Sequence, residues 1–593
     1  MSPRPWRRLR GLSRPPWLNP SELRIGLGCM RLSDDDGPEE ELALETIAAA
    51  VRGGVTVFDT ARAYGHGENE GLLARGLRRA AGEARARIVT KGGMTRAGGA
   101  WLPDGRARAI RADCEASLAA LDGLPIDLYL LHAPDPRTPW STSVRALARL
   151  LGEGLVARVG LANVDRRRLD EALELVPVAA VQVALSPFDD RALRGGLVAR
   201  CADLGIAVIA HSPLGGVRRA PALARRPALA EIARSRGSSP PEVALAWLLG
   251  LSPAVVAIPG ARRPETASSA ARAAALELDG DEREALARAL GRVRPAHAVR
   301  RRRAREHAEA VIVMGIPGAG KSRIAEAYVA RGYRRLNRDE RAGSLRQLAE
   351  ALDEALAGGE RRVVLDNTYA TRAARNDVVE AAARHGVRTR CVWLDTPLAQ
   401  AQVNVVERLL DRFGALPMPE ELRGAAAREP GVLLPTSQMR VLRELEPPGE
   451  DEGFAAVERV PFERRPVPGR TRPGVLVAAA ALRSGLGAVP SPGDRGAPHL
   501  VFDWWPGGAV ADLAAEVEPL VAGIAAPVEV AVCPHAAGPP RCWCRPPLPG
   551  LAVAFARAHG VDLARSVLVG TGPAHRTLAT ALGARWVAVR TPP

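Results

Sequence analysis

Short apolar runs alternate with longer amphipathic stretches along the first half of the chain. The runs have the character of buried strands, and the Ala-, Leu- and Arg-rich stretches between them are typical of helices. Between Ser21 and Leu290 seven such runs stand out: VTVFDT, RIVTKG, DLYLLHA, ARVGLAN, AAVQVAL, IAVIAHS and AVVAIPG. This alternation predicts βα units around a parallel sheet, and a segment of about 250 residues has the size of a (β/α)8 TIM barrel.

The same pattern divides the rest of the chain, since 593 residues are too many for one hydrophobic core. The apolar run AVIVMGI opens a second α/β unit, and a third, smaller unit rich in Pro, Gly and Ala follows. No internal repeat or heptad pattern is present in the sequence. The predicted domains are a basic tail over 1–20, a barrel over 21–291, an Arg-rich linker over 292–308, a second α/β domain over 309–466 and a third over 467–593.

Composition and charge narrow the class of protein. With 47% hydrophobic residues, no apolar run of about 20 residues and seven cysteines, we expect a globular cytoplasmic protein with no membrane span and no disulfide framework. The net charge is +16, and much of the excess lies in two segments without acids: 1–20 holds five Arg and 292–305 holds seven. Such segments either contact nucleic-acid phosphates or are solvated tails, and charge alone does not decide between the two.

Lysine is almost absent from this sequence. Of the 82 Lys and Arg residues only Lys91 and Lys321 are Lys. Arg is a poor substitute where a compact ammonium with a tunable pKa is required. Both lysines also fall inside motifs that carry chemistry on other grounds.

Four polar residues follow predicted strands of the first half, namely Asp59, Tyr64, Lys91 and His132. Catalytic groups of a barrel gather at the carboxyl ends of its strands. An ammonium beside a phenol stabilises the phenolate and lowers the pKa of the phenol, while a carboxylate holds the ammonium in place. Tyr64 would then protonate a carbonyl oxygen while hydride reaches the carbon, and His132 would orient the carbonyl.

These four residues, together with GLGCMRLS, GLANVD, VQVALSPFD, AHSPLGG and IPGARRPE in that order, resemble the aldo-keto reductase family. The resemblance implies reduction of a small carbonyl substrate by NADPH, with the four residues as the catalytic tetrad. The cofactor-binding residues that it implies are Asn163, Gln182, His211, Ser212, Leu214, Gly216, Arg262 and Arg263. The first two would hold the nicotinamide carboxamide, the loop from Ser212 to Gly216 would follow the pyrophosphate, and the two arginines would face the adenosine 2′-phosphate.

The sequence departs from the family pattern at the cofactor site. His211 stands where many relatives have a Tyr that stacks on the nicotinamide. Ser269 and Ala270 replace a Glu and an Asn of the family's adenosine site. The choice between NADP and NAD therefore stays open.

A phosphate-binding loop opens the second domain. The sequence VIVMGIPGAGKSRIA has the GxxxxGKS spacing after a strand and before a helix, which is the context that this motif requires. Its backbone N–H groups would wrap the phosphates of ATP, Lys321 would reach the β- and γ-phosphates, and Ser322 would bind Mg²⁺. The predicted ATP-binding residues are Gly315, Gly318, Gly320, Lys321, Ser322 and Arg408.

The residues after the loop indicate the reaction. The blocks PGAGKS, GYRRLNRDERAGS, GGERRVVLDNTYATRAAR, LAQAQVNVVERL and DEGFAAVERVPF resemble the kinase domain of polynucleotide kinases over about 155 residues. The resemblance implies Asp339 as general base, Arg341 and Asp366 as acceptor-binding residues and Arg408 as a lid arginine on the transferring phosphoryl. The implied acceptor is a 5′-hydroxyl of RNA or DNA. A small-molecule or protein kinase of the same P-loop group is the alternative, because the charge of this domain is balanced.

The third domain carries a cluster of metal-ligand types in CPHAAGPPRCWCRPPLPG. Cys533, His535, Cys542 and Cys544 would close a tetrahedral structural Zn²⁺ site, or the cysteines are simply small buried hydrophobes. The pattern resembles the zinc loop of histidinol-phosphatase-like members of the haloacid-dehalogenase superfamily. Their catalytic Asp pair has no counterpart in PGVLVAAAALRSG, Thr571 replaces an Asp, and the Lys usual after the last Cys is missing. The module is therefore predicted to be a degenerate one.

The sequence thus predicts an α/β protein in which a (β/α)8 barrel precedes a P-loop kinase domain and a degenerate haloacid-dehalogenase-like module. The predicted function is bifunctional, combining carbonyl reduction with phosphoryl transfer. A barrel that only senses NADPH and regulates the kinase is the alternative from another class. The oligomeric state is not predicted.

Overall fold

The computed structural model describes residues 17–34, 37–82, 85–97, 100–290, 308–341, 343–464, 466–484, 496–522 and 526–589. The basic tail predicted over 1–20 lies outside these ranges up to residue 16, and the predicted Arg-rich linker lies outside them up to residue 307. The chain forms two compact units, Met1–Ala298 and Val299–Pro593.

The first unit contains ten described strands. They are β1 (Gly26–Gly28), β2 (Val57–Asp59), β3 (Arg87–Gly92), β4 (Met94–Ala97), β5 (Ala100–Pro103), β6 (Leu128–Leu131), β7 (Val159–Ala162), β8 (Val178–Ala184), β9 (Ala207–His211) and β10 (Val255–Ile258). Eight of them form a parallel sheet in the order β1-β2-β3-β6-β7-β8-β9-β10, while β4 and β5 form a separate hairpin. Bridges from Ile25 to Ala257 and from Gly28 to Gly260 join the two ends of the sheet. The predicted (β/α)8 barrel is thereby confirmed.

Helices connect successive strands of the barrel. They are α1 (Glu40–Arg52), α2 (Glu68–Arg79), α3 (Ala107–Ala120), α4 (Trp140–Gly152), α5 (Arg166–Leu173), α6 (Arg191–Arg194), α7 (Leu197–Asp203), α8 (Pro227–Ser235), α9 (Pro240–Gly250), α10 (Pro264–Ala273) and α11 (Gly280–Leu290). The strand side chains alternate between a core against these helices, as Phe58 and Ile88 do, and an inner core, as Val57 and Val89 do.

Trp17 and Leu18 belong to the inner core and cover one end of the barrel. The indole Nε1 of Trp17 donates to Asp127, which lies just before β6 at the amino ends of the strands. The carboxyl ends of the strands, which the predicted catalytic residues follow, lie at the opposite end of the barrel.

The second unit contains two parallel five-stranded sheets. The strands of the first sheet are β11 (Glu309–Met314), β12 (Arg334–Leu336), β13 (Arg362–Asp366), β14 (Arg388–Asp395) and β15 (Ala456–Pro461), in the order β12-β13-β11-β14-β15. Those of the second are β16 (Val475–Ala478), β17 (His499–Trp504), β18 (Val528–Cys533), β19 (Val567–Gly570) and β20 (Arg585–Ala588), in the order β18-β17-β16-β19-β20. The second order is a common doubly wound one and assigns no chemistry by itself.

Eleven described helices accompany these sheets. They are α12 (Lys321–Val329), α13 (Arg338–Arg341), α14 (Leu345–Ala357), α15 (Arg372–Arg384), α16 (Leu398–Phe413), α17 (Pro419–Arg428), α18 (Pro435–Glu444), α19 (Ala479–Arg483), α20 (Val510–Val521), α21 (Gly550–His559) and α22 (Pro573–Leu582). No described helix combines the length and the apolar character that a membrane crossing needs. All seven cysteines are buried free thiols.

Helices α16 and α17 share a hydrophobic core with the second sheet of this unit. Val405 and Leu409 of α16 and Leu422 of α17 pack in one cluster with Leu476 of β16 and Phe555 of α21. The sequence assigned α16 and α17 to the second predicted domain, whereas their apolar faces are buried against the third.

A fully buried ion pair holds helix α15 to the segment before β15. The side chains of Arg375 and Glu452 are 0% and 2% exposed, and their atoms Nη2 and Oε1 lie 2.7 Å apart. Nε of Arg375 donates to the second carboxylate oxygen at 2.8 Å. Removing one partner would leave the other charge buried and unpaired.

We therefore expect Glu452→Ala to lower the free energy of unfolding of this unit by about 3–5 kcal/mol. Thermal unfolding followed by calorimetry measures the effect, with the transition of the barrel as an internal reference. The matched control is Glu458→Ala, because that half-exposed carboxylate lies 4.0 Å from Arg390 and its loss should change stability by less than about 1 kcal/mol. Equal effects of the two substitutions would contradict this reading of the buried pair.

Candidate active sites

The barrel brings the four predicted catalytic residues together at its carboxyl end. Asp59 is the last residue of β2, Lys91 lies in β3, and His132 follows β6 directly. These three strands are neighbours in the sheet. Tyr64 reaches the same place from the loop after β2.

The ammonium of Lys91 is the centre of this group. Its Nζ donates to Oδ1 of Asp59 at 2.7 Å, to the backbone oxygen of Thr60 at 2.7 Å and to Oη of Tyr64 at 3.5 Å. The second carboxylate oxygen of Asp59 accepts from Nε2 of Gln182 at 2.6 Å. With a side chain only 1% exposed, Lys91 is held in one position by fixed protein groups.

The pKa values of this group follow from burial and charge. Burial disfavours the ammonium of Lys91, but Asp59 and Tyr64 together outweigh this effect, so the pKa of Lys91 lies above its usual value. Burial also raises the pKa of Tyr64, and Lys91 acts in the opposite direction without cancelling it. The expectation of a net lowered Tyr64 pKa was therefore wrong: the ammonium has the expected effect, but desolvation is larger.

His132 is neutral at physiological pH. Burial, with Lys91 and His211 nearby, lowers its pKa to about 3. Its ring meets the ring of Tyr64 edge to face, with 6.0 Å between centroids. A neutral imidazole beside a phenol is suited to donate a hydrogen bond to a carbonyl oxygen that the phenol also contacts.

A pocket of about 600 Å³ opens above these residues. Six of the eight predicted cofactor residues line it, namely Asn163, Gln182, His211, Ser212, Leu214 and Gly216. Arg262 and Arg263 follow the pocket residue Gly260 and directly precede α10. The predicted binding roles of all eight remain predictions.

Asn163 and His211 are ordered by contacts to the catalytic group. Asn163 has a positive φ of 57°, and its Nδ2 donates to the backbone oxygen of His132 at 2.9 Å. Its Oδ1 lies 3.3 Å from Nε2 of His211. His211 therefore fills the position of the stacking Tyr with a polar ring that contacts its neighbour.

The sequence analysis missed the wall on the substrate side of the pocket. Trp101 projects from the hairpin of β4 and β5, and its ring centroid lies 6.1 Å from Tyr64 and 5.8 Å from His132. Met30 and Met94 line the same pocket. The only signal in the sequence was a Trp ten residues after Lys91 in a Gly-rich segment, which does not predict a hairpin over the site.

In the second unit, the phosphate-binding loop joins β11 to α12 as predicted. Gly315, Gly318 and Gly320 have positive φ angles of 155°, 87° and 93°. A Cβ on Gly318 would lie 2.3 Å from the backbone oxygen of Ala401 in α16, so only glycine fits this approach. The nitrogen of Lys321 donates to the backbone oxygens of Gly315 at 3.1 Å and of Ile316 at 3.0 Å.

Charged residues from three elements act on Lys321. Burial lowers the pKa of Lys321 to about 8, and the guanidinium of Arg408 in α16 adds to this effect, while Asp366 and Asp339 oppose it. The charge of Asp339 also acts on Arg408. The predicted base, the predicted lid arginine and the loop lysine therefore share one site.

The structure places the two predicted acceptor-binding residues differently. Arg341 ends the short helix α13 at the surface, two residues after Asp339. Asp366 is buried, and its carboxylate accepts from Nε and Nη2 of Arg335 at 3.1 and 2.7 Å and from Nδ2 of Asn337 at 2.6 Å. Asp366 thus joins β13 to β12 through contacts that the sequence did not predict.

Two further residues that the sequence did not predict hold the loop. Nδ2 of Asn404 in α16 donates to the backbone oxygen of Gly318 at 2.8 Å. Nε2 of Gln438 in α18 donates to the backbone oxygen of Pro317 at 2.7 Å. Helices α16 and α18 are therefore bonded to the loop backbone. The segment from α16 to α18 is called the lid below.

The four predicted metal ligands of the C-terminal module lie within 4.8 Å of one another. Sγ of Cys533 is 3.7 Å from Sγ of Cys542 and 3.3 Å from Sγ of Cys544, and Nδ1 of His535 is 3.2 Å from Sγ of Cys544. The edges of a tetrahedral zinc site with these ligands measure about 3.5–3.8 Å. The residues therefore fit a structural Zn²⁺ ion.

The carboxyl edge of the C-terminal sheet has no pair of acids at the predicted place. Ala479 follows β16 directly, and Thr571 follows β19. Asp503, near the end of β17, is paired with Arg483 at 2.6 Å. The degenerate haloacid-dehalogenase-like character of the module remains a prediction.

The parallel barrel and its Asp-Tyr-Lys-His site define an oxidoreductase barrel. The profile of the aldo/keto reductase family matches residues 24–290, and that of an AAA domain matches residues 311–423. The Glycine max protein named probable aldo-keto reductase 1 is 31% identical over 269 residues, which cover 40% of this chain and 76% of that protein. The chain belongs to the aldo/keto reductase family and carries a P-loop domain in addition.

Solved structures resemble the barrel half. An aldo/keto reductase from Klebsiella pneumoniae in complex with NADP and acetate is 27% identical and covers 45% of this chain and 90% of its own, with a TM-score of 0.40. Glycerol dehydrogenase from Gluconobacter oxydans is 27% identical and covers 46% of this chain and 92% of its own, with a TM-score of 0.41. A thermostable aldo-keto reductase in complex with epalrestat is 31% identical, with 45% and 95% covered and a TM-score of 0.40.

The lowered pKa of Lys321 generates a prediction for nucleotide binding. The free protein carries the Lys321 charge below about pH 8 and loses it above, so binding of a polyphosphate at higher pH must take up a proton. We expect the affinity for Mg²⁺ and ATP to be constant near neutral pH and to fall by up to about tenfold per pH unit above pH 8.

Titration of a fluorescent ATP analogue between about pH 7 and pH 9.5 measures this dependence. Lys321→Arg is the matched control, because a guanidinium stays charged over this range and should give a flat, weaker profile. A flat profile for the unaltered protein would show that Lys321 keeps its proton throughout.

Proposed function

We propose that this chain is a bifunctional enzyme in which an NADPH-dependent carbonyl reductase is joined to an ATP-dependent kinase that phosphorylates the 5′-hydroxyl of a polynucleotide. The reductase proposal is carried by one observation, the buried Lys91 ammonium that contacts Asp59 and Tyr64 at the floor of the pocket. The kinase proposal is carried by the shared electrostatic site of Lys321, Arg408 and Asp339.

The reductase residues have separate roles. NADPH, when bound, supplies the hydride for the carbonyl carbon. Tyr64 gives its Oη proton to the carbonyl oxygen, and Lys91 stabilises the phenolate that this leaves. Asp59 keeps Lys91 charged, which compensates for the burial that otherwise disfavours phenolate. Neutral His132 donates a hydrogen bond to the same oxygen and so fixes the carbonyl between the two rings.

The residues around the pocket fit a nicotinamide dinucleotide. The amides of Asn163 and Gln182 stand beside the catalytic group and suit a carboxamide. The adjacent guanidinium groups of Arg262 and Arg263 suit a 2′-phosphate, which favours NADPH over NADH. His211, bonded to Asn163, would flank the nicotinamide where relatives have a Tyr.

The wall of the pocket indicates the kind of carbonyl compound. Trp101 and Met30 are 41% exposed at the mouth, and Met94 is buried next to them. Apolar and aromatic side chains at this place bind apolar substituents better than hydroxyl-rich ones. We therefore propose an aldehyde or ketone with an apolar or aromatic substituent as the substrate.

Tyr64→Phe removes the proton donor and keeps the ring. We expect kcat for reduction of an aromatic aldehyde by NADPH to fall by about 10²–10⁴ while NADPH affinity stays within a few-fold. Turnover is followed by NADPH absorbance, and affinity by quenching of protein fluorescence. Tyr129→Phe is the matched control: its buried hydroxyl bonds the Ile110 backbone oxygen, so its loss should affect stability and spare kcat. Tight NADPH binding without any turnover by the unaltered protein would instead favour a barrel that senses NADPH.

The residues of the proposed kinase site also have separate roles. Lys321 neutralises the β- and γ-phosphates of ATP, and the Ser322 hydroxyl holds Mg²⁺. Arg408 stabilises the charge on the transferring phosphoryl group, and Asp339 accepts the proton of the attacking hydroxyl. Arg338 and Arg341 flank Asp339 on an exposed turn, which suits an acceptor that brings its own phosphate, as a polynucleotide end does.

A structural zinc ion in the cluster of Cys533, His535, Cys542 and Cys544 is part of the same proposal. The cysteine and histidine set and its short distances are those of closed structural sites rather than of catalytic ones. The ion would contribute to the folding of the C-terminal module.

The polynucleotide acceptor is tested with labelled ATP, Mg²⁺ and 5′-hydroxyl RNA and DNA oligonucleotides. We expect label at the 5′ end with the unaltered protein and none with Lys321→Ala, which removes the phosphate contact. Asp339→Asn should bind ATP with unchanged affinity but lose at least about 10²-fold in transfer, because it lacks the base. ATP binding without labelling of either oligonucleotide would overturn the acceptor, and small-molecule hydroxyl compounds would then be tested.

A further inference from the structure

The C-terminal module has kept its fold without an acid pair at its carboxyl edge. Its five parallel strands and its hydrophobic core are complete among the described residues, yet Ala479 and Thr571 stand where the phosphatase pattern has acids. Asp503, an acid near the end of β17, is paired with Arg483. A module retained in this form needs another role.

Helix α16 has two sides with different contacts. On one side Asn404 bonds the phosphate-binding loop, and Arg408 acts on Lys321. On the opposite side Val406 and Leu410 are buried in the core of the C-terminal sheet. The position of the Arg408 guanidinium relative to the loop therefore depends on the module behind the helix.

Polar anchors fix the same helix from the module. Glu407, the neighbour of Arg408, forms a two-fold ion pair with Arg470 at 2.5 and 2.8 Å, and these side chains are 23% and 11% exposed. Arg557 of α21 pairs with Asp411 of α16. A half-buried, two-fold Arg–carboxylate pair resists displacement more than a single exposed contact does.

The cysteine loop anchors the rest of the lid. Trp543, between Cys542 and Cys544 in sequence, is 2% exposed, and its Nε1 donates to the backbone oxygen of Leu433, between α17 and α18, at 2.9 Å. Leu416, between α16 and α17, packs against the cysteines themselves. The lid segment thus contacts the candidate metal site at two points.

We propose that the C-terminal module is a non-catalytic scaffold that holds the lid helices α16 to α18 against the phosphate-binding loop, and that a metal ion in the Cys/His cluster fixes its Trp543 anchor. Trp543 and Arg470 are positioning residues in this scheme. The metal orders the loop that carries Trp543, and the ordered lid keeps Asn404, Gln438 and Arg408 at the nucleotide. The inference goes beyond the proposed function, since it concerns nucleotide binding and is independent of the acceptor.

Trp543→Phe in the full chain tests the anchor, because it keeps most of the bulk and removes the hydrogen bond to Leu433. We expect the affinity for a fluorescent ATP analogue with Mg²⁺ to fall roughly fivefold and the amides of residues 398–444 to exchange hydrogen faster. Trp586→Phe, in β20 at the far edge of the same core, is the matched control and should change neither. Arg470→Met tests the same effect without disturbing the apolar core and should also weaken nucleotide binding.

Removal of the metal tests the role that is proposed for the metal ion. Elemental analysis first measures the zinc content of the purified protein and of Cys544→Ser, with Cys391→Ser as a control thiol in the other sheet. A zinc-selective chelator in excess Mg²⁺ should then speed exchange in residues 398–444 and weaken nucleotide binding, with reductase turnover unchanged. Added zinc should reverse both effects.

Clear outcomes overturn the inference. If Trp543→Phe and Arg470→Met both bind nucleotide and exchange like Trp586→Phe, the scaffold role is wrong. If the protein neither contains nor binds zinc, or if its loss leaves the lid unchanged, the metal part is wrong. If the lid responds as expected but no oligonucleotide is labelled, the inference stands and only the proposed acceptor fails.

Discussion

The parallel arrangement of the strands is the constraint on which both candidate sites depend. Every strand pair in the three large sheets is parallel. Parallel strands run in the same direction, so all strands of a sheet end at the same edge. The polar residues that follow them meet there. Asp59, Lys91 and His132 meet in this way in the barrel, and the glycine loop, Asp339 and Asp366 do so in the second unit. Polar residues that are far apart in the sequence thereby come together at one edge of a sheet.

The two lysines show how neighbouring charges decide what one side chain can do. Both are desolvated, which by itself lowers the pKa of an ammonium. Lys91 lies 2.7 Å from the Asp59 carboxylate, and its pKa is raised. Lys321 has the Arg408 guanidinium nearby, and its pKa is lowered to about 8. In the proposed reactions the first stabilises a phenolate, and the second takes up a proton when phosphates bind. An arginine is bulkier and planar, and its charge does not change in this pH range, so it would be a poor replacement at either position.

Most of the barrel and the placement of its catalytic group could be predicted from the sequence, because buried parallel strands leave a local apolar signal and the polar residues follow them directly. The hairpin that carries Trp101 could not, since its exposed strands bury little and have no such signal. The net rise of the Tyr64 pKa could not be predicted either, because desolvation depends on how deeply the fold buries the phenol. Helix α17 gave no such signal for a third reason: its apolar residue Leu422 packs with strands that follow later in the chain, and a local pattern does not reveal a distant partner.

The core that helices α16 and α17 share with the C-terminal sheet ties this sheet to the P-loop domain, whether or not the sheet carries chemistry of its own. Catalytic acids at a sheet edge contribute little to folding, and their loss exposes no apolar surface. Leu422, Leu409 and Leu410, in contrast, are buried in the core that includes the C-terminal sheet. Deleting that sheet would expose these side chains to water, at a cost of about 1.5–3 kcal/mol for each one fully uncovered. A few such residues equal the whole stability of an ordinary domain. In the proposed scaffold, loss of the sheet would therefore also remove the apolar support of the lid helices.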